Sequence, residues 1–165
     1  MERLGRLGES RFVLAGQVRA RSGKSSHRKA RGGSDVAPFS LRYSEDMAIA
    51  TGLRLIVCGG RDFADRDAAW AALDRVHAER GIREVIEGGA RGADTLAGEW
   101  ADARGVKRTT VAADWSLGRK AGPIRNAAMI ALAPDGLIAL PGGRGTENCC
   151  AQATAAGITV WRPLG

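Results

Sequence analysis

Short apolar runs alternate with longer segments of helical periodicity from residue 53 to the end of the chain, and glycine-rich turns follow three of the runs. Runs of four to six aliphatic residues predict buried strands, whereas apolar residues spaced three and four apart predict amphipathic helices. This alternation is typical of a parallel sheet that is covered by helices on both faces. The chain is therefore predicted to adopt an α/β fold, a Rossmann-like three-layer sandwich.

The order of these segments predicts the topology of the sheet. The predicted strands are 53–58, 84–87, 108–112, 136–140 and 158–161, and the predicted helices are 67–80, 92–104, 122–132 and 144–156. Because parallel crossover connections are right-handed, five such strands fit the order 3-2-1-4-5. Ligands of such sheets bind beyond the carboxyl ends of the strands, where the strand order reverses. The three glycine turns all follow strands, so we expect them at this edge.

The glycine turns combine bare backbone with positive charge. They contain Gly59, Gly60, Arg61 and Asp62 in the first, Gly88, Gly89, Arg91, Gly92 and Asp94 in the second, and Gly142, Gly143, Arg144, Gly145 and Thr146 in the third. Glycine lets backbone N–H groups approach a ligand, helix N-termini attract anions, and arginine forks match phosphate oxygens. We predict that these residues bind the phosphate of a nucleotide-type ligand, with no metal. The alternative is that they only make tight connections, with solvated arginines.

Several other side chains are expected near the same edge. Arg119, Lys120 and Arg125 follow the third strand and add positive charge. Asp94 either accepts hydrogen bonds from ribose hydroxyls or charges the first turn of the second helix. Trp115 either stacks on a base or covers the sheet edge. The sequence leaves both pairs of alternatives open.

Composition divides the chain into two parts. Residues 1–46 contain ten Lys and Arg against five Asp and Glu, whereas residues 47–165 contain fifteen against thirteen. Residues 1–50 are predicted to form a basic, disordered extension, and 51–165 the folded domain. Nucleic acid is therefore expected to bind only through the extension, because a polyanion groove needs a basic face. The small phosphorylated ligand is the expected partner, and a homo-oligomer stays open.

The apolar segments and the cysteines bear on the compartment. No run approaches the roughly 18 apolar residues of a membrane span. Cys58, Cys149 and Cys150 have neither the number of a disulfide framework nor the spacing of a metal site. Buried, reduced thiols in a cytoplasmic protein are the expectation.

The turns resemble those of a known family. The segments 57–63, 88–94, 121–126 and 141–146, which read VCGGRDF, GGARGAD, AGPIRN and PGGRGT, are similar in this order to the YspA, cpYpsA-related SLOG family. The resemblance covers about 53–165 and implies a Rossmann-like fold that binds a nucleotide or nucleotide-derived ligand as a sensor or carrier. It also implies that Asn126, beside Arg125, belongs to the binding site.

The same superfamily suggests two alternatives. Lonely Guy phosphoribohydrolases, which release a base from a nucleoside 5′-monophosphate, have a PGGxGTxxE pattern and an upstream RKxxM pattern. Arg125 matches the arginine of that pattern, but Cys149 stands at the glutamate position, and the acid nearby is Glu147. As an enzyme the chain would therefore use Arg125 and Glu147 as its catalytic pair. DprA-like binding of single-stranded DNA is the second alternative, although the folded part is close to neutral.

Overall fold

The computed structural model describes residues 51–164, and the predictions for the basic extension lie outside them. Strands and helices alternate along the described part. In order they are β1 (Leu53–Cys58), α1 (Arg66–Arg80), β2 (Ile82–Glu87), α2 (Ala93–Arg104), β3 (Lys107–Thr110), a 3-10 segment (Trp115–Lys120), α3 (Ala121–Ala131), β4 (Gly136–Ala139), α4 (Arg144–Ala155) and β5 (Val160–Trp161).

The five strands form a parallel sheet in the order β3-β2-β1-β4-β5, which confirms the predicted α/β fold and strand order. The central strand β1 pairs with β2 on one side and with β4 on the other. Every residue of β4 is buried, as is usual for a strand covered on both faces. The carboxyl ends of β1 and β4 therefore lie side by side at the switch point.

Two apolar layers cover the sheet. One contains Trp100 and Leu73 from α2 and α1, packed on Val57 and Val85 of the strands. The other face holds Ile56, Ile86 and Leu137 of the strands, together with Met129 of α3 and Cys149 of α4. Burial of each large apolar side chain contributes on the order of 2 kcal/mol, so these two layers fix the helices on the sheet.

Some predicted boundaries differ from the observed ones. β3 ends at Thr110, not at residue 112, because its ladder with β2 ends where Glu87 pairs with Thr110. The segment between β3 and α3, which lies outside the predicted strands and helices, forms the 3-10 turn, in which Asp114 accepts a hydrogen bond from the Ser116 N–H and Gly118 breaks the helix with a φ of 59°. Gly92 precedes α2 instead of opening it, with a φ of 79° that favours glycine.

A buried carboxylate joins three strands. Glu84 of β2 accepts hydrogen bonds from Arg54 Nε (2.6 Å) and Thr109 Oγ1 (2.6 Å), and it pairs with Lys107 Nζ (3.1 Å). Burial alone would raise the pKa of Glu84, but the hydrogen bonds from Thr109, Arg54 and Lys107 outweigh it and lower the pKa to about 2. The ionised form of Glu84 is therefore part of the native fold.

This carboxylate predicts an acid-dependent loss of stability. Because the native pKa lies below the ordinary value, Glu84 stabilises the fold above about pH 4.5 and loses this contribution as the pH falls toward 2. Glu84→Gln should lower the free energy of unfolding at pH 7 by up to about 3 kcal/mol, and the difference from wild type should shrink between pH 4.5 and 2.

Urea unfolding at several pH values measures this difference. Glu79→Gln is the control, because Glu79 forms an exposed pair with Arg75 and should change stability by less than about 0.5 kcal/mol. A gap between wild type and Glu84→Gln that stays constant down to pH 2 would contradict the assignment.

Candidate functional site

A cleft of about 890 Å³ opens at the carboxyl ends of β1 and β4. Eleven residues predicted to bind the ligand line it. They are Gly59, Gly60, Arg61, Asp94, Trp115, Arg125, Asn126, Gly143, Arg144, Gly145 and Thr146. Gly88, Gly89 and Arg91 instead line a neighbouring second cleft of about 600 Å³. Asp62, Gly92, Lys120, Gly142 and Glu147 are not among the residues that line either cleft.

The first and third turns pack directly against each other. The Gly60 N–H donates to the Pro141 carbonyl at 2.9 Å. A Cβ on Gly59 would lie 2.5 Å from the Ala93 Cβ, and one on Gly142 would lie 2.7 Å from the Gly60 nitrogen. Gly142 is therefore required for packing between these two turns, and Gly59 is required for packing of the first turn against α2.

The second turn is filled by carboxylates of the chain itself. Asp94 Oδ2 accepts hydrogen bonds from the N–H groups of Gly88 and Ala90, each at 3.2 Å. Glu87 Oε2 accepts from the Gly89 N–H at 2.5 Å. Burial raises the pKa of Asp94, although the Ala90 N–H and the charge of Arg125 oppose this. These backbone donors are engaged within the protein, so this turn offers little to an external phosphate.

The third turn is open. Gly143 precedes α4, and no side chain caps this helix within the described residues. A Cβ built on Gly143 or on Gly145 would meet nothing within 4 Å, and Gly143 has an ordinary φ of −105°. Neither packing nor backbone conformation therefore requires glycine at these two positions. Both line the cleft beside Thr146, and the first N–H groups of a helix have no intrahelical partner.

Positive charge dominates the cleft. Arg61, Arg119, Arg125 and Arg144 line it, and Asp94 is the one carboxylate among its lining residues. Low-dielectric walls focus such a field and attract anions. Arg119 and Arg125 lie at the rim as predicted, whereas Lys120 does not line the cleft.

Arg125 is held from several sides. Its side chain is 16% exposed, and Nη1 lies 3.5 Å from Asp94 Oδ2. A Cβ on Gly88 would overlap this guanidinium. Arg125 therefore fits against the second turn because residue 88 is a glycine. Arg125 Nε also donates to Asn126 Oδ1 at 3.0 Å. The guanidinium is thus fixed between α3 and the second turn before any ligand arrives.

Asn126 links α3 and α4 in the wall of the cleft. Its side-chain nitrogen donates to the Gly145 carbonyl at 3.3 Å and to Asn148 Oδ1 at 3.0 Å. The residue is buried. Its contacts connect Arg125 to the open first turn of α4. The Arg125 guanidinium and this turn therefore belong to one hydrogen-bond network.

The remaining predicted residues are engaged elsewhere. Both carboxylate oxygens of Glu147 accept hydrogen bonds from Arg162, at 3.0 and 2.8 Å, and this pairing lowers the pKa of Glu147. Asp62 pairs with Arg91 at 2.6 Å on an exposed surface. The structure therefore does not bring Glu147 together with Arg125 in the cleft.

Comparison with known proteins agrees with this architecture. The sequence pattern of the YspA, cpYpsA-related SLOG family matches residues 53–118, which contain the first two turns. The Gene 61 protein of Mycobacterium phage D29 is 39% identical over 116 residues, covering 65% of this chain and 93% of the phage protein. The chain belongs to the YspA, cpYpsA-related SLOG family. No function follows from the name of the phage relative.

A solved structure shares the fold of this SLOG chain. DNA processing protein A (DprA) from Streptococcus pneumoniae superposes with a TM-score of 0.56 at 18% identity. The match covers 70% of this chain and 51% of the DprA chain, so the SLOG chain spans about half the length of that protein. At this identity the likeness establishes the Rossmann-type fold alone.

The cleft of the SLOG chain also contains residues that the predicted site omitted. Cys58, at the end of β1, and Cys149, on α4, line it together with Asn148. The three cysteines are free and buried. A hydrogen bond with Cys58 lowers the pKa of Cys150 to about 7 despite its burial, whereas hydrogen bonds with Cys149 and Cys150 and burial raise the pKa of Cys58. Two signals were available in the sequence: Cys58 is adjacent to the first turn, and Cys149 stands where the PGGxGTxxE pattern has its glutamate.

Two further findings concern the described residues, 51–164. They contain no group of three or more His, Cys, Asp or Glu side chains arranged to hold a metal ion. Within the same range, no helix is long and apolar enough to cross a membrane.

The different surroundings of two cleft arginines predict unequal effects on stability. Arg125→Ala should lower the free energy of unfolding by about 1–3 kcal/mol, because it leaves the buried Asp94 carboxylate without its cation. Arg144 is exposed and has no ion-pair partner among residues 51–164, so Arg144→Ala should change stability by less than about 0.5 kcal/mol.

Chemical unfolding of both variants measures these effects. A double-mutant cycle with Asp94→Ala should give a coupling energy of roughly 1–3 kcal/mol for Arg125 and near zero for Arg144. Equal losses for the two arginines would contradict the arrangement.

Proposed function

We propose that this SLOG domain binds a nucleotide or nucleotide-derived phosphorylated ligand, with the phosphate at the N-terminus of α4. The observation that carries the proposal is the absence of any packing or conformational reason for glycine at Gly143 and Gly145. Bare backbone at a helix N-terminus lets N–H groups reach an anion without steric hindrance. The Thr146 hydroxyl, in the same turn, is a further donor.

The surrounding charges support a phosphate in this position. Arg125 is already held at the cleft, so little side-chain entropy is lost when it pairs with an anion. Arg61, Arg119 and Arg144 lie along the same walls, and guanidinium groups pair well with phosphate oxygens. A doubly charged phosphate would balance two of the three positive charges that remain when Asp94 is counted against the four arginines.

The positions of the carboxylates favour binding over hydrolysis. Cleavage of a glycosidic bond needs a carboxylate or another base at the anomeric carbon. Glu147 is paired with Arg162, and Asp94 is engaged with the second turn and Arg125. We therefore propose a sensor or carrier role. Release of free base from any nucleotide that binds would contradict it.

The first experiment is a thermal-shift screen of nucleotides against the full chain. A ligand that binds the native state raises the unfolding midpoint, by an amount that grows with the logarithm of its concentration relative to its Kd. We expect phosphorylated nucleotides to raise it and the matching nucleosides to leave it unchanged. The absence of any shift with phosphorylated ligands would overturn the proposal.

Gly145→Ala gives the sharpest prediction for the phosphate position. Gly145 lies in α4 with open space around its Cα, so alanine should raise the free energy of unfolding by about 0.5–1 kcal/mol. The same methyl group would stand between the ligand and the backbone, so nucleotide affinity should fall on the order of tenfold or more. Stability and affinity should thus change in opposite directions.

Gly122→Ala is the matched control. Gly122 is also a helical glycine with nothing within 4 Å of its would-be Cβ, but it lies in α3 on another wall of the same cleft. This variant should keep the affinity for nucleotides within about threefold. A larger loss with Gly122→Ala than with Gly145→Ala would place the phosphate at α3 instead.

A further inference from the structure

The second cleft adjoins the first and shares part of its wall. Arg61, Ala90 and Trp115 line both clefts. The rest of the second cleft is formed by Gly88 and Gly89 of the second turn, by Arg91, and by the two alanines that follow β3, Ala112 and Ala113. A ligand in the first cleft can therefore extend past Arg61 and Trp115 without leaving the protein surface.

The walls of the second cleft are unsuited to a phosphate. The N–H groups of Gly88 and Gly89 already donate to Asp94 and Glu87. Arg91 pairs with Asp62 at 2.6 Å. What remains is mostly small and apolar, and such surfaces accept an uncharged, flat group at little cost in desolvation.

Trp115 supplies an aromatic surface at the boundary of the two clefts. Its side chain is among the exposed large hydrophobic groups of the described residues, with 59% of its surface accessible. The Arg61 guanidinium lies 5.0 Å from the centroid of its ring. Bases stack readily on tryptophan rings and on guanidinium planes. A base that covered the exposed Trp115 ring would remove apolar surface from water, which favours binding.

We propose that the second cleft takes the aromatic base of the ligand, stacked on Trp115, while the phosphate of the same molecule lies at the N-terminus of α4. The ligand is then a nucleoside phosphate whose ribose crosses the boundary formed by Arg61 and Trp115. This inference rests on the proposed phosphate site and adds the base, which the phosphate site alone does not require. A volume of about 600 Å³ is ample for a purine.

The test compares nucleotides with ribose 5-phosphate, which has the same sugar and phosphate but no base. Binding of each ribonucleoside 5′-monophosphate and of ribose 5-phosphate to the full chain is measured by calorimetry, with wild type, Trp115→Ala and Trp115→Phe. At least one nucleotide should bind about tenfold or more tightly than ribose 5-phosphate. Trp115→Ala should reduce that advantage by about tenfold and leave ribose 5-phosphate unaffected, whereas Trp115→Phe should retain most of it.

A second variant checks the cleft independently of the tryptophan. Ala112 is exposed, so Ala112→Phe should fold normally while it fills the space assigned to the base. It should weaken nucleotide binding about tenfold and leave ribose 5-phosphate binding unchanged.

The outcomes separate this inference from the phosphate site. If every nucleotide binds no more tightly than ribose 5-phosphate, the base site is overturned and the phosphate site stands. If Trp115→Ala weakens both kinds of ligand equally, Trp115 acts through Arg61 on the phosphate, and the base site is again overturned. If neither kind of ligand binds, the proposed function itself fails, and the base site fails with it.

Discussion

The direct backbone contact between the first and third turns is the constraint on which the site depends. The Gly60 N–H bonds to the Pro141 carbonyl, and a side chain on Gly142 would collide with the backbone of the first turn. The pairing of β1 with β4 brings these turns to the same edge of the sheet. Because they are in contact, the N-terminus of α4 lies beside the first turn and faces the cleft formed there.

The three turns look alike in sequence, yet they differ in how many of their backbone groups remain available to a ligand. Gly59 and Gly142 are required for packing, whereas the second turn is occupied by carboxylates of the chain itself. The third turn has glycines with open space around them. Asp94, which accepts hydrogen bonds from the second turn, also pairs with Arg125 and so holds its guanidinium in place. The open backbone N–H groups that we propose as the phosphate site are thereby concentrated at one helix terminus, next to a guanidinium that is already in place.

Much of the fold could be predicted from the sequence because it depends on local periodicity and on general rules of chain connection. Alternating strands and helices with right-handed crossovers leave few arrangements, and β1, β2 and β4 have the apolar runs of central strands. The location of the glycine turns could be predicted as well, because each turn directly follows the end of a predicted strand. The early end of β3 was harder to predict from the sequence, because it is determined by where β2 stops pairing with β3.

The internal contacts of the site could not be predicted in the same way. Asp94 turns back to the N–H groups of Gly88 and Ala90, and Glu147 pairs with Arg162 fifteen residues away. Such pairings depend on rotamers and on distances between elements that no local pattern encodes. Glu147 illustrates this, since a carboxylate in the first turn of α4 is compatible both with a contact to a ligand and with a favourable interaction with the helix dipole.

The most direct test of this account is a titration of the full chain with inorganic phosphate, followed by ¹H–¹⁵N correlation spectra. We expect the largest shifts at the amide signals of Gly143, Arg144, Gly145 and Thr146. The amides of Gly88, Gly89 and Ala90 should move little, because they already donate to carboxylates. Larger shifts in the second turn than in the third, or no shift at residues 143–146, would contradict the account.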